Sequence, residues 1–177
     1  MILQKLVHRL RQFRLLHHWV GISVVLFMFI TSSTGVLLGW KKNVELLQPA
    51  TLVGSSQELS HWVSFERIAT ASRHAIDSVV GRKIEIDRMD VRPDKGMIKV
   101  TFQEEYWEVQ IDAASGKVLS VAQRHADWIE HIHDGSIISD GFKLFYTNYI
   151  GVGLLLLSVT GFWLWYGPRV IRKIKHQ

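Results

Sequence analysis

Nine histidines and no cysteine set the chemistry open to this 177-residue chain. Without thiols there can be no disulfide, thiolate zinc site, iron–sulfur cluster or covalently attached c-type haem. A metal or cofactor would have to be held through His, Met, Asp, Glu or backbone oxygen. His17 stands out. At 100° per helical residue it falls within about 60° of Gly21, Met28, Ser32, Gly35 and Gly39, at the boundary of a long uncharged run. A neutral imidazole there can take the iron of a b-type haem, which asks for nitrogen ligands and an apolar slot. The competing reading makes His17 and His18 interfacial residues that hydrogen-bond lipid headgroups. His131-x-His133 with Asp134 alongside offers a second option, a metal site using His131 and Asp134. Residues i and i+2 of a helix point to different sides, which counts against it. His8 and His176 in the basic tails, with His61 and His74, read as ordinary surface residues. Glu104, Glu105 and Glu108 could act as acid–base carboxylates, but beside Tyr106 and Trp107 an exposed strand edge is the expected role. No H-E-x-x-H, G-x-S-x-G or phosphate-cradling glycine loop occurs, so any enzymatic role other than redox lacks a motif and the enzyme question stays open.

The elements that must position these groups are legible from charge. The excess of 21 Lys and Arg over 16 Asp and Glu would suggest nucleic acid if it were spread evenly. It is not: no acidic residue precedes Glu45 or follows Asp140. Residues 41–143 hold 13 basic and 16 acidic residues, and the surplus sits at the ends, on Lys5, Arg9, Arg11 and Arg14 and on Arg169, Arg172, Lys173 and Lys175. Nucleic acid is excluded as a partner. Trp19–Trp40 is uncharged over 22 residues and Leu144–Gly167 over 24. At ~1.5 Å per residue each covers roughly 33–36 Å, enough for a hydrocarbon core of ~30 Å. Trp19 and Trp40 bracket the first span, Tyr146 and Tyr149 open the second, and Trp163, Trp165 and Tyr166 close it, as interfacial belts do. The first span is too long for a signal-peptide core and reads as an uncleaved anchor.

The expected organisation is a basic segment over residues 1–14, transmembrane helices over 15–40 and 141–167, a folded domain with connectors over 41–140, and a basic tail over 168–177. Basic ends place both termini in the cytoplasm and the central domain outside. Leu3, Leu6, Val7, Leu10 and Phe13 among basic residues suit either a short helix lying on the inner leaflet or a plain basic flank. In the middle, Phe65, Ile68, Ala69, Ser72, Ile76 and Val79 or Val80 recur at helical spacing, with Ser64 as N-cap and Gly81 as terminator. Three or four antiparallel strands follow, with turns at Pro93–Gly96 and Asp112–Gly116. The fold class is an α+β membrane protein, two spans flanking a small helix-plus-antiparallel-sheet domain.

Small residues recur in the spans, in Ser33-Thr34-Gly35 and again in Val159-Thr160-Gly161. Gly21, Ser32, Gly35 and Gly39 on the first span, and Gly151, Ser158 and Gly161 on the second, are the expected packing positions, between the two helices or across a homodimer.

These phrases resemble a family. Tyr106, Val109 and Ile111-Asp112-Ala113-Ala114-Ser115-Gly116-Lys117-Val118 look like the closing hairpin of a PepSY domain. Leu16-His17-His18-Trp19-Val20-Gly21 with Thr34-Gly35-Val36 is similar to the opening helix of PepSY-associated transmembrane proteins. Ile132-His133-Asp134-Gly135, Gly151 and Ser158-Val159-Thr160-Gly161 resemble the second helix. Larger members of that family have four spans, with ferric-siderophore reductases of the inner membrane among them. The resemblance pairs His133 with His17 as haem ligands and implies a bacterial inner-membrane location with a periplasmic domain.

His17 and His133 lie near opposite faces, while two axial ligands of one iron are only ~4 Å apart. One protomer therefore cannot clamp one haem b between them. A homodimer could hold two stacked haems, or each haem could rest on a single His. Two functions remain. The preferred one is a binding or accessory module, its domain displayed to an envelope partner or a larger membrane complex. The alternative is b-haem electron transfer across the bilayer to ferric iron or a siderophore.

Overall fold

The computed structural model describes residues 2–175; Met1, His176 and Gln177 lie outside the described residues. The chain forms two compact units, one of Leu37–Ile129 and one of Met1–Val36 with Glu130–Gln177. The end of α3 groups with the long helices.

In the first unit, α2 (Phe65–Val80) starts where the Ser64 hydroxyl accepts the Arg67 N–H at 3.3 Å. It stops at Gly81, whose φ of 73° suits a residue without Cβ. Four strands follow: β1 (Ile86–Arg92), β2 (Met97–Phe102), β3 (Trp107–Asp112) and β4 (Val118–Gln123). They pair antiparallel in chain order. Ile98, Val100 and Phe102 of β2, with Val109 and Ile111 of β3, form a core with Ile68 and Ile76 of α2. The helix face is narrower than its periodicity suggests. Ile68, Ser72 and Ile76 are buried, whereas Phe65 and Val79 are exposed. The buried Ser72 hydroxyl is satisfied by the Ile68 carbonyl at 2.7 Å.

The opposite sheet face is polar and also buried, which alternation along the strands does not foretell. Lys99, Thr101, Glu108, Gln110 and Asp112 are all inaccessible. The segment before α2 accounts for part of this cover. The Gln110 amide accepts from Leu52 N–H and donates to the Ala50 carbonyl, each at 2.9 Å. Asp112 accepts from the Ser55 N–H and hydroxyl and from Ala114 N–H. Burial pushes the Asp112 carboxyl up, but these donors outweigh it and leave it below the ordinary aspartate range. Gly54 and Gly96 permit this crossing, since a Cβ on Gly54 would lie 1.9 Å from the Gly96 carbonyl oxygen.

Glu108 overturns its expected role. It is 1% exposed and accepts from Lys99 Nζ at 3.2 Å and from the Gln110 amide at 2.9 Å. Arg124 Nε lies 3.6 Å from its second oxygen, and Arg124 also pairs with Asp127 at 3.0 Å. Glu104 and Glu105 lie in the β2–β3 turn rather than on a strand, and both pair with Arg82 at the surface. None of the three is placed as an acid–base pair.

The second unit holds two long helices, α1 (Ile2–Gly39) and α4 (Asp140–Lys175), with α3 (His125–Asp134) running into it. The basic N-terminal segment is the first stretch of α1 and not a separate element, and α4 continues through Pro168 into the basic tail. At 38 residues α1 is about 57 Å long.

Candidate histidine site between the long helices

α1 and α4 run antiparallel, and small residues on one repeatedly meet large ones on the other. Gly153 receives Val24, where an added Cβ would sit 2.7 Å from Val24 Cγ1; Gly167 receives Leu10 in the same way at 2.8 Å. Gly21 faces Leu157. Tyr146 Oη lies 2.7 Å from Thr31 Oγ1, Tyr149 donates to the Ser23 carbonyl at 3.2 Å, and Phe13 packs on Trp163. Val24, Thr160, Tyr146 and Leu10 are buried by these contacts. In hydrocarbon no hydrophobic effect joins helices, so close fit and interhelical hydrogen bonds must do it.

Two histidines lie in this seam, in matching surroundings. His17 Nδ1 is 2.8 Å from Thr160 Oγ1, and a Cβ on neighbouring Gly161 would meet His17 Cε1 at 3.4 Å. His133, at the end of α3, places Nδ1 3.0 Å from Thr34 Oγ1, and a Cβ on Gly35 would meet its Cε1 at 3.3 Å. Each Thr-Gly phrase therefore holds the histidine of another helix. The threonine supplies the hydrogen bond and the glycine the room.

The hydroxyl hydrogens decide the direction of these bonds. Thr34 donates to the Ile30 carbonyl at 2.7 Å, and Thr160 to the Leu156 carbonyl at 2.6 Å. With that hydrogen directed to its own helix, each oxygen can accept from an imidazole that carries its proton on Nδ1. Nε2 then bears a lone pair, and among the described residues it has no hydrogen-bond partner in either ring. That is the form in which histidine ligates a metal, with the other ring nitrogen held by a neighbouring oxygen. Each site offers one such nitrogen from this chain. Thr34 lies 17 positions beyond His17 on α1, so the two sites stand roughly 25 Å apart along the helix.

The other expected residues divide. Gly21, Gly35 and Gly161 lie in the seam. Ser32 and Ser158 are exposed, and a Cβ added at Gly39 or Gly151 would meet nothing within 4 Å. His131 and Asp134 are not gathered into a metal group. His131 Nδ1 bonds Ser136 Oγ, while Asp134 pairs with Lys143 Nζ at 2.6 Å and accepts Ser136 N–H at 2.9 Å. Among the described residues no cluster of three or more His, Asp or Glu could hold a metal ion. Burial raises the Asp134 carboxyl, but the bonds from Lys143 and Ser136 outweigh it and bring it down to about 2. Gly135 follows at φ 81°, where a Cβ would sit 3.1 Å from the Tyr146 side chain; it lets the chain turn tightly against α4. Reading the sequence picked out both Thr-Gly phrases but missed that Thr34 and Thr160 are histidine partners. Their repetition was the available signal.

Both long helices are apolar and long enough to cross a membrane. With the paired histidines between them, they define an integral membrane protein built around a helix seam. The sequence pattern of the PepSY-associated TM region matches residues 14–175, and the chain belongs to that family. No curated protein matches it in sequence.

Proposed function

We propose that this protein is a b-haem carrier of the bacterial inner membrane, passing electrons from a membrane donor to an acceptor on the side of its folded domain. The observation that carries this reading is the pair of crossed histidine–threonine bonds, each leaving an Nε2 lone pair at one end of the helix seam. Haem bound there would supply reversible one-electron chemistry. The chain's own residues do the rest. His17 and His133 offer the iron ligands, Thr160 and Thr34 hold their tautomers, and Gly161 and Gly35 let the rings lie close to the helices. Because the two sites are roughly 25 Å apart, the second imidazole at each comes from a second copy of the chain. The basic residues at both termini support a topology with those ends in the cytoplasm and the domain on the periplasmic side. Ferric iron or a ferric siderophore is then the acceptor.

The test is the reduced-minus-oxidised visible spectrum of the full chain and of His17→Ala and His133→Ala. The reading expects a Soret and a sharp α band in the parent and about half the absorbance in each variant. A colourless protein from haem-supplied cells would overturn it, as would bands indifferent to both substitutions.

A second reading, the domain as a binding module for an envelope partner, is favoured by a groove of about 370 Å³ beside edge strand β4, lined by Leu46, Pro49, Ala50, Leu52 and Ala122. Under it, Leu52→Glu abolishes partner capture while leaving the spectrum unchanged.

A further inference from the structure

We infer that the groove between α1 and α4 at the end carrying the chain termini is a binding site for one anionic phospholipid. The groove encloses about 490 Å³ and is lined by the apolar Val7, Leu10, Pro168 and Ile171 and by the basic Arg11, Arg14 and Arg172. The helical repeat builds it. Val7, Leu10, Arg11 and Arg14 are spaced i, i+3, i+4, i+7 on α1, and Pro168, Ile171 and Arg172 i, i+3, i+4 on α4. Leu10 seats into Gly167 and closes the bottom.

Among the described residues these three cations face no counter-charge. The first 44 and last 37 residues contain no Asp or Glu, and among the described residues none of the three guanidinium groups pairs with a carboxylate. Arg169, by contrast, is occupied: its guanidinium lies 3.8 Å over the Trp165 ring. A phosphodiester meets the unneutralised guanidinium groups through charge-assisted, bidentate hydrogen bonds. Acyl chains suit the apolar lining, whose residues stand at the end of an uncharged span. A basic pocket between transmembrane helices that opens onto an apolar wall has the chemistry of an anionic-lipid site. This inference does not rest on haem.

The experiment is native mass spectrometry of the full chain released from micelles containing equimolar phosphatidylglycerol and phosphatidylcholine with identical acyl chains. One phosphatidylglycerol retained per chain, with phosphatidylcholine absent, is the expected result. Each of Arg11→Gln, Arg14→Gln and Arg172→Gln should weaken retention about fivefold and the triple variant roughly a hundredfold. The triple Lys variant should recover most of it, and Arg169→Gln should not change it. Equal retention of both lipids overturns the inference, as does a triple Gln variant that binds like the parent. Displacement of the lipid by millimolar inorganic phosphate, or by haem loading, also overturns it, because the guanidinium groups would then serve a free anion or haem propionates.

Discussion

Replacing Thr160 by Val removes one hydroxyl and almost no volume, so it isolates the bond that fixes the His17 tautomer. The bond spans 2.8 Å from Nδ1 to Oγ1, and the hydroxyl hydrogen is committed to Leu156. Interhelical hydrogen bonds in membranes are worth about 0.6 kcal/mol on average and up to about 1.7. At RT of about 0.59 kcal/mol this corresponds to a three- to twentyfold change in the ratio of Nδ1–H to Nε2–H forms. The assay is nitrogen NMR of haem-free protein labelled at histidine and held at pH 8, with His17 identified by the signal lost in His17→Gln. The parent should carry its His17 proton on Nδ1, and Thr160→Val should shift population to Nε2 by that factor. Thr34→Val should do the same to His133 and leave His17 alone. A parent protein with its His17 proton on Nε2, or a Thr160→Val spectrum identical to it, would refute the tautomer argument.

Three further outcomes are expected. Lys99→Met removes one of the two cations beside the buried Glu108 carboxylate, leaving Arg124 at 3.6 Å, and should cost about 1–3 kcal/mol of domain stability in urea unfolding. Combining it with Glu108→Gln should cost less than the two singles together, because the pair is in contact at 3.2 Å. Asp134 is held at about 2 against an ordinary 3.8, so its contribution is complete above pH 4 and disappears as pH falls through 2. Asp134→Asn should remove that part of the acid-induced drop in melting temperature and leave the neutral-pH slope unaltered. Gly153→Leu thrusts a side chain into Val24, already 2.7 Å from a bare Cβ. It should sharply reduce disulfide cross-linking between Gly21→Cys and Leu157→Cys, a clean readout in a protein with no cysteine of its own.

Much of the architecture was readable because it rests on local rules. The charge-free runs, Ser64 and Gly81 around α2, and the turns at Pro93–Gly96 and Asp112–Gly116 each depend on a few adjacent residues. What stayed hidden depends on what covers what. Lys99, Thr101 and Glu108 alternate with apolar neighbours as an open sheet face would. Only the Ala50–Ser55 crossing and Arg124 show that this face is closed, and that Glu108 is a buried ion-pair member. The exposure of Phe65 and Val79 is likewise not fixed by helical spacing alone. At the seam, helical spacing identified His17 with its glycines, and the family likeness added His133. It could not pair His17 with Thr160 or His133 with Thr34, because those contacts span 143 and 99 residues and depend on the register of α1 with α4 and α3. The strip of Gly151 and Ser158 shows the same limit. Small residues mark a surface that permits close approach, and within this chain α4 turns a different face, Gly153 and Thr160, towards α1.

The measurement that bears most directly on the account is the ratio of haem to polypeptide in protein purified from haem-supplied cells. The proposed arrangement, two sites each completed by a second copy, predicts about one b-type haem per chain, reducible with dithionite and absent from the double variant His17→Ala/His133→Ala. A preparation with no haem at all, or with a haem content unchanged in the double variant, would contradict it.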